Sequence, residues 1–327
     1  MSPILPDPAA PHTAGPRPPL KLGTRMSVLA LAQAGQVAAA IERATGVPVE
    51  RVGIETEGDR LVDQSLTDAR QGPLTKGWFT GAIEDAIRAG RVDFAVHSLK
   101  DLPVADSVGL SLVIPKREDA ADLLLARQAV QGAFAAGASS PRRIALLARW
   151  FPAAEGRFLR GNVTTRITRL REGKFDAILL AASGLRRLAE GSAWSPASSA
   201  LADARADGVH VYRLPPRTWP GAPGQGALAL QYRSDDLVTR DLLMALEHPA
   251  TRRAIGLERD ALAALGTGCA LPFGAWVDGD HASFAVEVDG RMVVGECSAS
   301  DLPAIVGRRD AIVAHACNGE LTLEEWT

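Results

Sequence analysis

Short apolar strands alternate with amphipathic helices along most of the chain. A strand at residues 20–23 precedes a helix, and further buried strands are predicted at 92–96 and 175–181, each followed by a polar turn. The first helix has apolar and amide side chains at helical spacing, at Leu29, Gln33, Val37 and Ile41. This alternation is typical of open α/β sheets, which bind ligands at the carboxyl ends of their strands. The sequence therefore predicts an α/β fold with binding sites at strand-to-helix turns.

Length, charge and cysteine content exclude several classes of protein. The chain has 327 residues, enough for two or three domains, and its net charge of -2 argues against bulk electrostatic binding of nucleic acid. Three cysteines without metal-ligand spacing predict neither a disulfide framework nor a metal site, and favour a reducing cytoplasm. No apolar run is long enough to span a bilayer, so no membrane partner is expected. Residues 1–19 are rich in proline and are predicted to form a disordered tail.

Polar groups follow the predicted strands at 20–23 and 92–96. The first helix opens with Thr24-Arg25-Met26-Ser27, and Ser27 is its predicted N-cap. An arginine and a hydroxyl at such a turn can bind an anion, but this turn taken alone favours a plain capped helix. After the strand at 92–96, His97, Ser98, Lys100 and Asp101 stand before Pro103. As an isolated dipeptide, Lys100-Asp101 is typical of a solvated surface pair, but four polar groups at a strand end favour a site. His97 is given no catalytic role, since it can equally be structural.

Arginines recur at the next strand-to-helix turns. Ser140 fits an N-cap and Pro141 fits the first helical turn, followed at once by Arg142 and Arg143. The same arrangement returns in Arg160-Gly161-Asn162-Val163-Thr164-Thr165-Arg166, and again in Ser183-Gly184-Leu185-Arg186-Arg187. Arginines at the start of a helix oppose its dipole, a local cost that an anion offsets. Several such turns predict a ligand with several negative groups, and we expect Arg142, Arg143 and Arg166 to face one cleft.

A glycine- and proline-rich passage and a cysteine turn complete the set of motifs. The passage at 220–227 is predicted to return the chain to the first domain through a strand at 228–232, and it lacks the lysine of a P-loop. Farther on, a helix at 252–265 ends at Gly266, and Cys269 follows in a glycine-containing turn. Position alone would make Cys269 an ordinary free thiol.

Taken in order, these motifs resemble the porphobilinogen deaminase (hydroxymethylbilane synthase) family from about Leu20 to Ala275. The matching segments are Thr24-Arg25-x-Ser27, Val96-His97-Ser98-Leu99-Lys100-Asp101-Leu102-Pro103, Ser139-Ser140-x-Arg142-Arg143, Arg160-Gly161-Asn162-Val163-x-Thr165-Arg166, Gly224-Gln225-Gly226-Ala227 and Gly268-Cys269-x-x-Pro272.

The resemblance implies two periplasmic-binding-protein-like domains with a hinge and a smaller C-terminal α+β domain. After the tail at 1–19, the first domain is expected at 20–116 plus 216–233 and the second at 117–215. The third, with the attachment cysteine, is expected at 234–327. A monomer is expected.

The resemblance also implies a covalent dipyrromethane cofactor, joined by a thioether to Cys269. Four porphobilinogen molecules are joined head to tail with loss of ammonia, and hydroxymethylbilane is released for tetrapyrrole (haem-type) biosynthesis. Asp101 matches the catalytic aspartate. The residues assigned to cofactor and substrate binding are Arg25, Ser27, Gln33, Ser98, Lys100, Ser139, Ser140, Arg142, Arg143, Arg160, Asn162, Arg166, Arg187 and Gln225.

Two alternatives belong to other functional classes. A divergent paralogue would bind or process another anionic pyrrole, with altered or lost polymerase activity. A plain solute-binding protein would keep the hinge, but it has no use for Cys269 and would need an export signal, which we do not find at the start of this sequence.

Overall fold

The computed structural model describes residues 18–56, 80–190, 196–266, 271–317 and 319–326, with the backbone alone at 196–200. Residues 1–17 of the predicted tail and the cysteine turn at 267–270 lie outside these ranges.

The first sheet is formed by strands from the start of the described chain. Its first elements are β1 (Leu20–Thr24), α1 (Val28–Thr45), β2 (Val49–Gly53), α2 (Gly81–Arg88), β3 (Phe94–Ser98) and β4 (Leu110–Val113). β1 pairs in parallel with both β2 and β3, as the alternating pattern predicts. Ser27 caps α1 as expected, since its side chain accepts a hydrogen bond from the Ala30 N–H. A short 3-10 turn at Leu99–Asp101 follows β3 and carries Lys100 and Asp101.

The second sheet begins with a strand that the sequence analysis missed. Its elements are β5 (Asp122–Ala126), β6 (Ala135–Ala138), α3 (Pro141–Trp150), β7 (Glu155–Phe158), α4 (Val163–Arg171), β8 (Ala177–Ala181), α5 (Ala182–Glu190), α6 (Pro196–Ala206) and β9 (His210–Leu214). β6 runs parallel to β7 and β8, whereas β5 is antiparallel to β8 and β9. All five residues of β5 are buried. The segment at 122–126, for which the sequence analysis predicts no strand, thus supplies a central strand of the second sheet.

The chain then returns to the first sheet, as predicted. β10 (Leu228–Arg233) lies between β3 and β4, antiparallel to both, and completes the order β2-β1-β3-β10-β4. The next helix, α7 (Leu237–Leu243), packs on the same core, where Leu243 is fully buried together with Leu22. Leu243 of α7 therefore belongs to the core around the first sheet.

The third unit is a small antiparallel meander with helices. It contains α8 (Pro249–Ala264), β11 (Phe273–Asp278), β12 (His281–Val288), β13 (Arg291–Ser298), α9 (Leu302–Val306) and α10 (Arg309–Ala314). Gly266, just past α8, has φ of 64°, the left-handed conformation that a glycine stop supplies. The last strand, β14 (Glu324–Glu325), leaves this unit and pairs with β9 of the second sheet.

These three sheets confirm the predicted α/β class with a smaller C-terminal α+β unit. Among the described residues, no helix combines the length and apolar character that crossing a membrane requires.

Candidate functional site

The first sheet brings several predicted site residues to the end of β3. Ser98 ends the strand and accepts a hydrogen bond from Gln33 Nε2 on α1 at 3.1 Å. Lys100 and Asp101 follow on the 3-10 turn, and both side chains are partly buried. Burial lowers the pKa of Lys100, and the carboxylate of the adjacent Asp101 opposes that shift. This edge of the sheet therefore places a cation and a carboxylate side by side.

The second sheet presents its predicted residues at the turns after β6 and β7. Ser140 caps α3 by accepting from the Arg143 N–H at 3.3 Å, and Asn162 caps α4 by accepting from the Thr165 N–H at 2.8 Å. Arg166 Nη1 donates to Ser139 Oγ at 2.9 Å. A side-chain hydrogen bond thus joins the two turns. Ser139 and Ser140 both have hydrogen-bond partners within the protein.

Asp122 lies at the centre of the arginine cluster. Its carboxylate is fully buried at the start of β5 and accepts from Arg142 Nη2 at 2.9 Å. Arg143 donates to it twice, from Nη2 at 2.6 Å and from Nε at 3.1 Å. Trp219 Nε1 and Gln225 Nε2 complete its partners at 3.0 and 2.8 Å. Sequence reasoning missed Asp122. The available signal is an acidic residue directly before the apolar run Leu123–Leu125, where a buried charge needs partners.

Gln225 connects the two sheets. Its side chain is fully buried, and its Nε2 donates to Asp122 Oδ1 and to the Ala120 carbonyl, each at 2.8 Å. On the other side, Lys100 Nζ donates to Gln225 Oε1 at 3.4 Å. The amide of Gln225, assigned from the sequence to ligand binding, is therefore engaged within the protein and links Lys100 to Asp122.

Burial changes the titration of these charges. Burial lowers the pKa of Lys100 to about 8, and the charge of Arg143 adds to the effect. Burial likewise lowers the pKa of Arg166 to about 10, again helped by Arg143. For Asp122 burial acts in the opposite direction, but Arg143 and Arg142 outweigh it and hold the pKa of its carboxyl far below the usual range. The cluster is thus a set of desolvated cations around one ionised carboxylate.

The remaining predicted residues are distributed around this cluster. Arg187 is buried and its Nη2 donates to the Gly226 carbonyl, next to Gln225, at 2.6 Å. Burial lowers the pKa of His97 to about 4, and the charge of Arg25 acts in the same direction. This histidine is therefore neutral near pH 7. Arg160 is exposed. Cys269 is outside the described residues.

The arrangement suits a ligand with several carboxylates. Besides burial, the charge of Arg143 lowers the pKa of Lys100, of Arg142 and of Arg166, whereas Asp101 and Asp122 raise that of Lys100 and Asp122 raises that of Arg142. A bound anion would relieve the repulsion between these cations, and arginine forks bind carboxylates well. No group of histidine, cysteine, aspartate and glutamate side chains in the described ranges is arranged to hold a metal ion.

The family profile and the curated relatives that match this chain carry the same name. A family profile described as porphobilinogen deaminase, dipyromethane cofactor binding domain, matches residues 20–241. The chain is 42% identical over 274 residues to porphobilinogen deaminase 1 of Streptomyces avermitilis, covering 79% of this chain and 78% of that protein. It is 39% identical over 262 residues to the porphobilinogen deaminase of Syntrophobacter fumaroxidans, covering 78% of each. Among solved structures, an ancestral cationic amino acid solute binding protein aligns with a TM-score of 0.40 at 14% identity, over 69% of this chain and 86% of that one.

Proposed function

This chain belongs to the porphobilinogen deaminase family, and from that premise we propose how its residues carry out the family's reaction. The function is that of a hydroxymethylbilane synthase, a transferase of tetrapyrrole biosynthesis that polymerises porphobilinogen. The observation that carries the proposal is the cluster of buried cations, in which Arg142 and Arg143 surround Asp122 and Lys100 is linked to it through Gln225, with Asp101 beside Lys100. This is the charge pattern that a chain of pyrroles with acetate and propionate groups requires.

The dipyrromethane cofactor fits the residues present. It carries several carboxylates, and Lys100, Arg142, Arg143 and Arg166 would hold them, with Ser139 and Ser140 close by. The fit is chemical: desolvation, together with the charge of Arg143, lowers the pKa of Lys100 to about 8 and that of Arg166 to about 10, and a bound anion would oppose both effects. When bound through Cys269, the cofactor supplies the pyrrole to which substrate units are joined.

Asp101 is proposed as the catalytic carboxylate. Departure of ammonia leaves positive charge on the substrate, and a fixed carboxylate stabilises charge that appears only then. Stabilising a charge that develops only in the transition state lowers the barrier and does not make the substrate bind more tightly in the ground state. The neighbouring Lys100 and the arginines bind the carboxylates of the substrate, which orients the pyrrole N–H groups toward Asp101. Asp101 would also accept and return the protons that move at the substrate nitrogen and α-carbon.

The cofactor assignment is tested by intact mass. We expect the purified protein to exceed its sequence mass and to give colour with Ehrlich's reagent, because a dipyrromethane is attached. Cys269→Ala should have the bare sequence mass, no colour and no turnover. Cys297→Ala is the matched control, since Cys297 is a partly buried thiol on β13, and it should behave as wild type. Turnover by Cys269→Ala would contradict the assignment.

The role of Asp101 is tested by single-turnover elongation in Asp101→Asn. The amide keeps the size of the side chain but removes its charge, so elongation should slow about 100- to 1000-fold while cofactor attachment survives. Attachment is verified by mass before the measurement. Asp106→Asn, an exposed carboxylate five positions on by sequence number, is the control and should elongate at the wild-type rate. Elongation by Asp101→Asn within a few-fold of wild type would make Asp101 a structural partner of Lys100.

A cytoplasmic location, a monomeric state and the domain boundaries stay predictions from the sequence.

A further inference from the structure

We propose that Asp122 is a positioning residue for the cofactor-binding cations: its buried carboxylate fixes Arg142 and Arg143 and, through Gln225, fixes Lys100 as well. The inference rests on the proposed function, because it concerns the same cations, but it assigns a role to a residue that acts only through its neighbours.

The carboxylate of Asp122 is saturated by protein donors. Oδ2 accepts from Arg142, Arg143 and Trp219, and Oδ1 accepts from Arg143 and Gln225. The side chain is 0% exposed. An oxygen pair with this many buried partners has no room for substrate, so Asp122 is a support for other side chains and not a catalytic residue.

Each arginine has a second anchor, which fixes the plane of its guanidinium group. Arg142 Nη1 donates to the Pro220 carbonyl at 2.8 Å, and Arg143 Nη1 donates to the Leu179 carbonyl at 3.1 Å. These bonds use only part of the N–H donors of each group, which leaves others for a ligand carboxylate. Because the side chains are already ordered, binding costs less conformational entropy than it would with mobile arginines. Asp122 is the partner that both arginines share.

The same carboxylate reaches the first sheet through the turn that carries Gln225. Gly226 has φ of 88°, and a Cβ there would lie 2.5 Å from the Glu118 carbonyl oxygen, so the turn requires glycine at this point. The fixed turn holds the Gln225 amide between Asp122 Oδ1 and Lys100 Nζ. Lys100 is therefore held by Asp122 through one intermediate side chain.

Charge supports the same role. Arg142, Arg143 and Lys100 repel one another, and the negative charge of Asp122 offsets part of that repulsion, raising the pKa of Lys100 against the effect of burial. Without Asp122, the lysine would lose its proton more readily and bind a carboxylate less well.

The chain offers a matched control for the test. Asp119 lies three positions before Asp122 by sequence number and also holds an arginine with both oxygens, since Arg213 Nε and Nη2 donate to it at 2.9 and 3.0 Å. Arg213, however, belongs to the partly exposed pair at β9 and not to the cation cluster. Asp122→Asn and Asp119→Asn therefore both remove a carboxylate paired with an arginine, but only the first touches the site.

Two measurements are made on the variants. In cofactor-free protein, the titration of Lys100 is followed by pH-dependent acetylation with acetic anhydride and peptide mass spectrometry. We expect a midpoint near pH 8 in wild type and in Asp119→Asn, and a lower midpoint in Asp122→Asn. The second measurement is the rate at which cofactor-free protein gains the cofactor mass on incubation with porphobilinogen, which should fall about tenfold or more in Asp122→Asn alone, as loss of one charged contact predicts.

The outcomes separate this inference from the proposed function. If wild type gains no mass, the proposed function fails, while the Lys100 midpoints still test Asp122. If Asp122→Asn matches Asp119→Asn in both measurements, Asp122 is only structural and the inference is overturned. If Asp122→Asn does not fold, Gln225→Met takes its place, because it removes the bridge and keeps the Asp122 charge. A rate of cofactor mass gain in Gln225→Met equal to that of wild type would then overturn the inference.

Discussion

At the scale of single residues, the site contains cations whose burial is energetically unfavourable. Lys100 is the clearest case, because burial lowers its pKa from 10.5 to about 8. An unfolded chain holds the same proton more tightly, so between these two values the unfolded state binds more protons than the folded state. The free energy of unfolding therefore rises with pH across that window, from about pH 8 to about pH 10.5. Below the window the full cost of the buried charge remains.

This cost predicts that Lys100→Met stabilises the cofactor-free protein. Methionine fills similar volume without a charge, so near pH 7 the free energy of unfolding should rise by up to about 3 kcal/mol. The difference from wild type should shrink as the pH rises from about 8 to about 10.5, because wild type becomes more stable there. Urea unfolding at several pH values measures both effects. Lys116→Met, at an exposed lysine, is the control and should change neither. A Lys100→Met protein that is less stable near pH 7 would contradict the prediction.

At the scale of elements, the predicted features are those with local signals. The Ser27 and Ser140 caps, the stop at Gly266 and the return strand at 228–232 are each set by a few adjacent residues, and the structure confirms them. β5 was missed because its identity depends on pairing with β8 and β9, which lie far along the chain. Asp122 was missed for the same reason, since its partners Trp219 and Gln225 are 97 and 103 residues away.

The candidate site divides in the same way. The sequence identified the arginine turns, because an arginine beside a helix start is a local pattern. It did not show that Gln225 would be turned inward, because that depends on the Gly226 turn meeting Glu118 from another segment. Function came from the combined motifs, and the assignment of Cys269 stays a prediction because its turn lies outside the described residues.

At the scale of the whole molecule, the C-terminal segment fastens the third unit to the second sheet. β14 pairs with β9, and the Trp326 N–H donates to the Val211 carbonyl at 2.9 Å. Arg205 lies over the Trp326 ring, 5.2 Å from its centroid, and donates to the Trp326 carbonyl at 2.7 Å. Because β14 pairs with β9, β9 is not an exposed edge strand of the second sheet. The two units also meet at Arg149, which donates to the Met292 and Cys317 carbonyls.

These contacts predict that Trp326→Ala destabilises the second sheet around β9 and leaves the core of the third unit unchanged. Truncation removes the partly buried indole from the cluster that includes Leu201 and Val211, and removes its cation–π contact with Arg205, at a cost of about 1–3 kcal/mol. Amide hydrogen exchange should become faster in β9, whereas β1 to β3 of the first sheet keep their protection. The control is Trp276→Ala, which removes a partly buried tryptophan stacked edge-on against His281 within the third unit. Amide exchange in Trp276→Ala should become faster in β11 and β12 alone. If β9 exchanges at the same rate in Trp326→Ala and in wild type, the C-terminal segment does not hold the two units together.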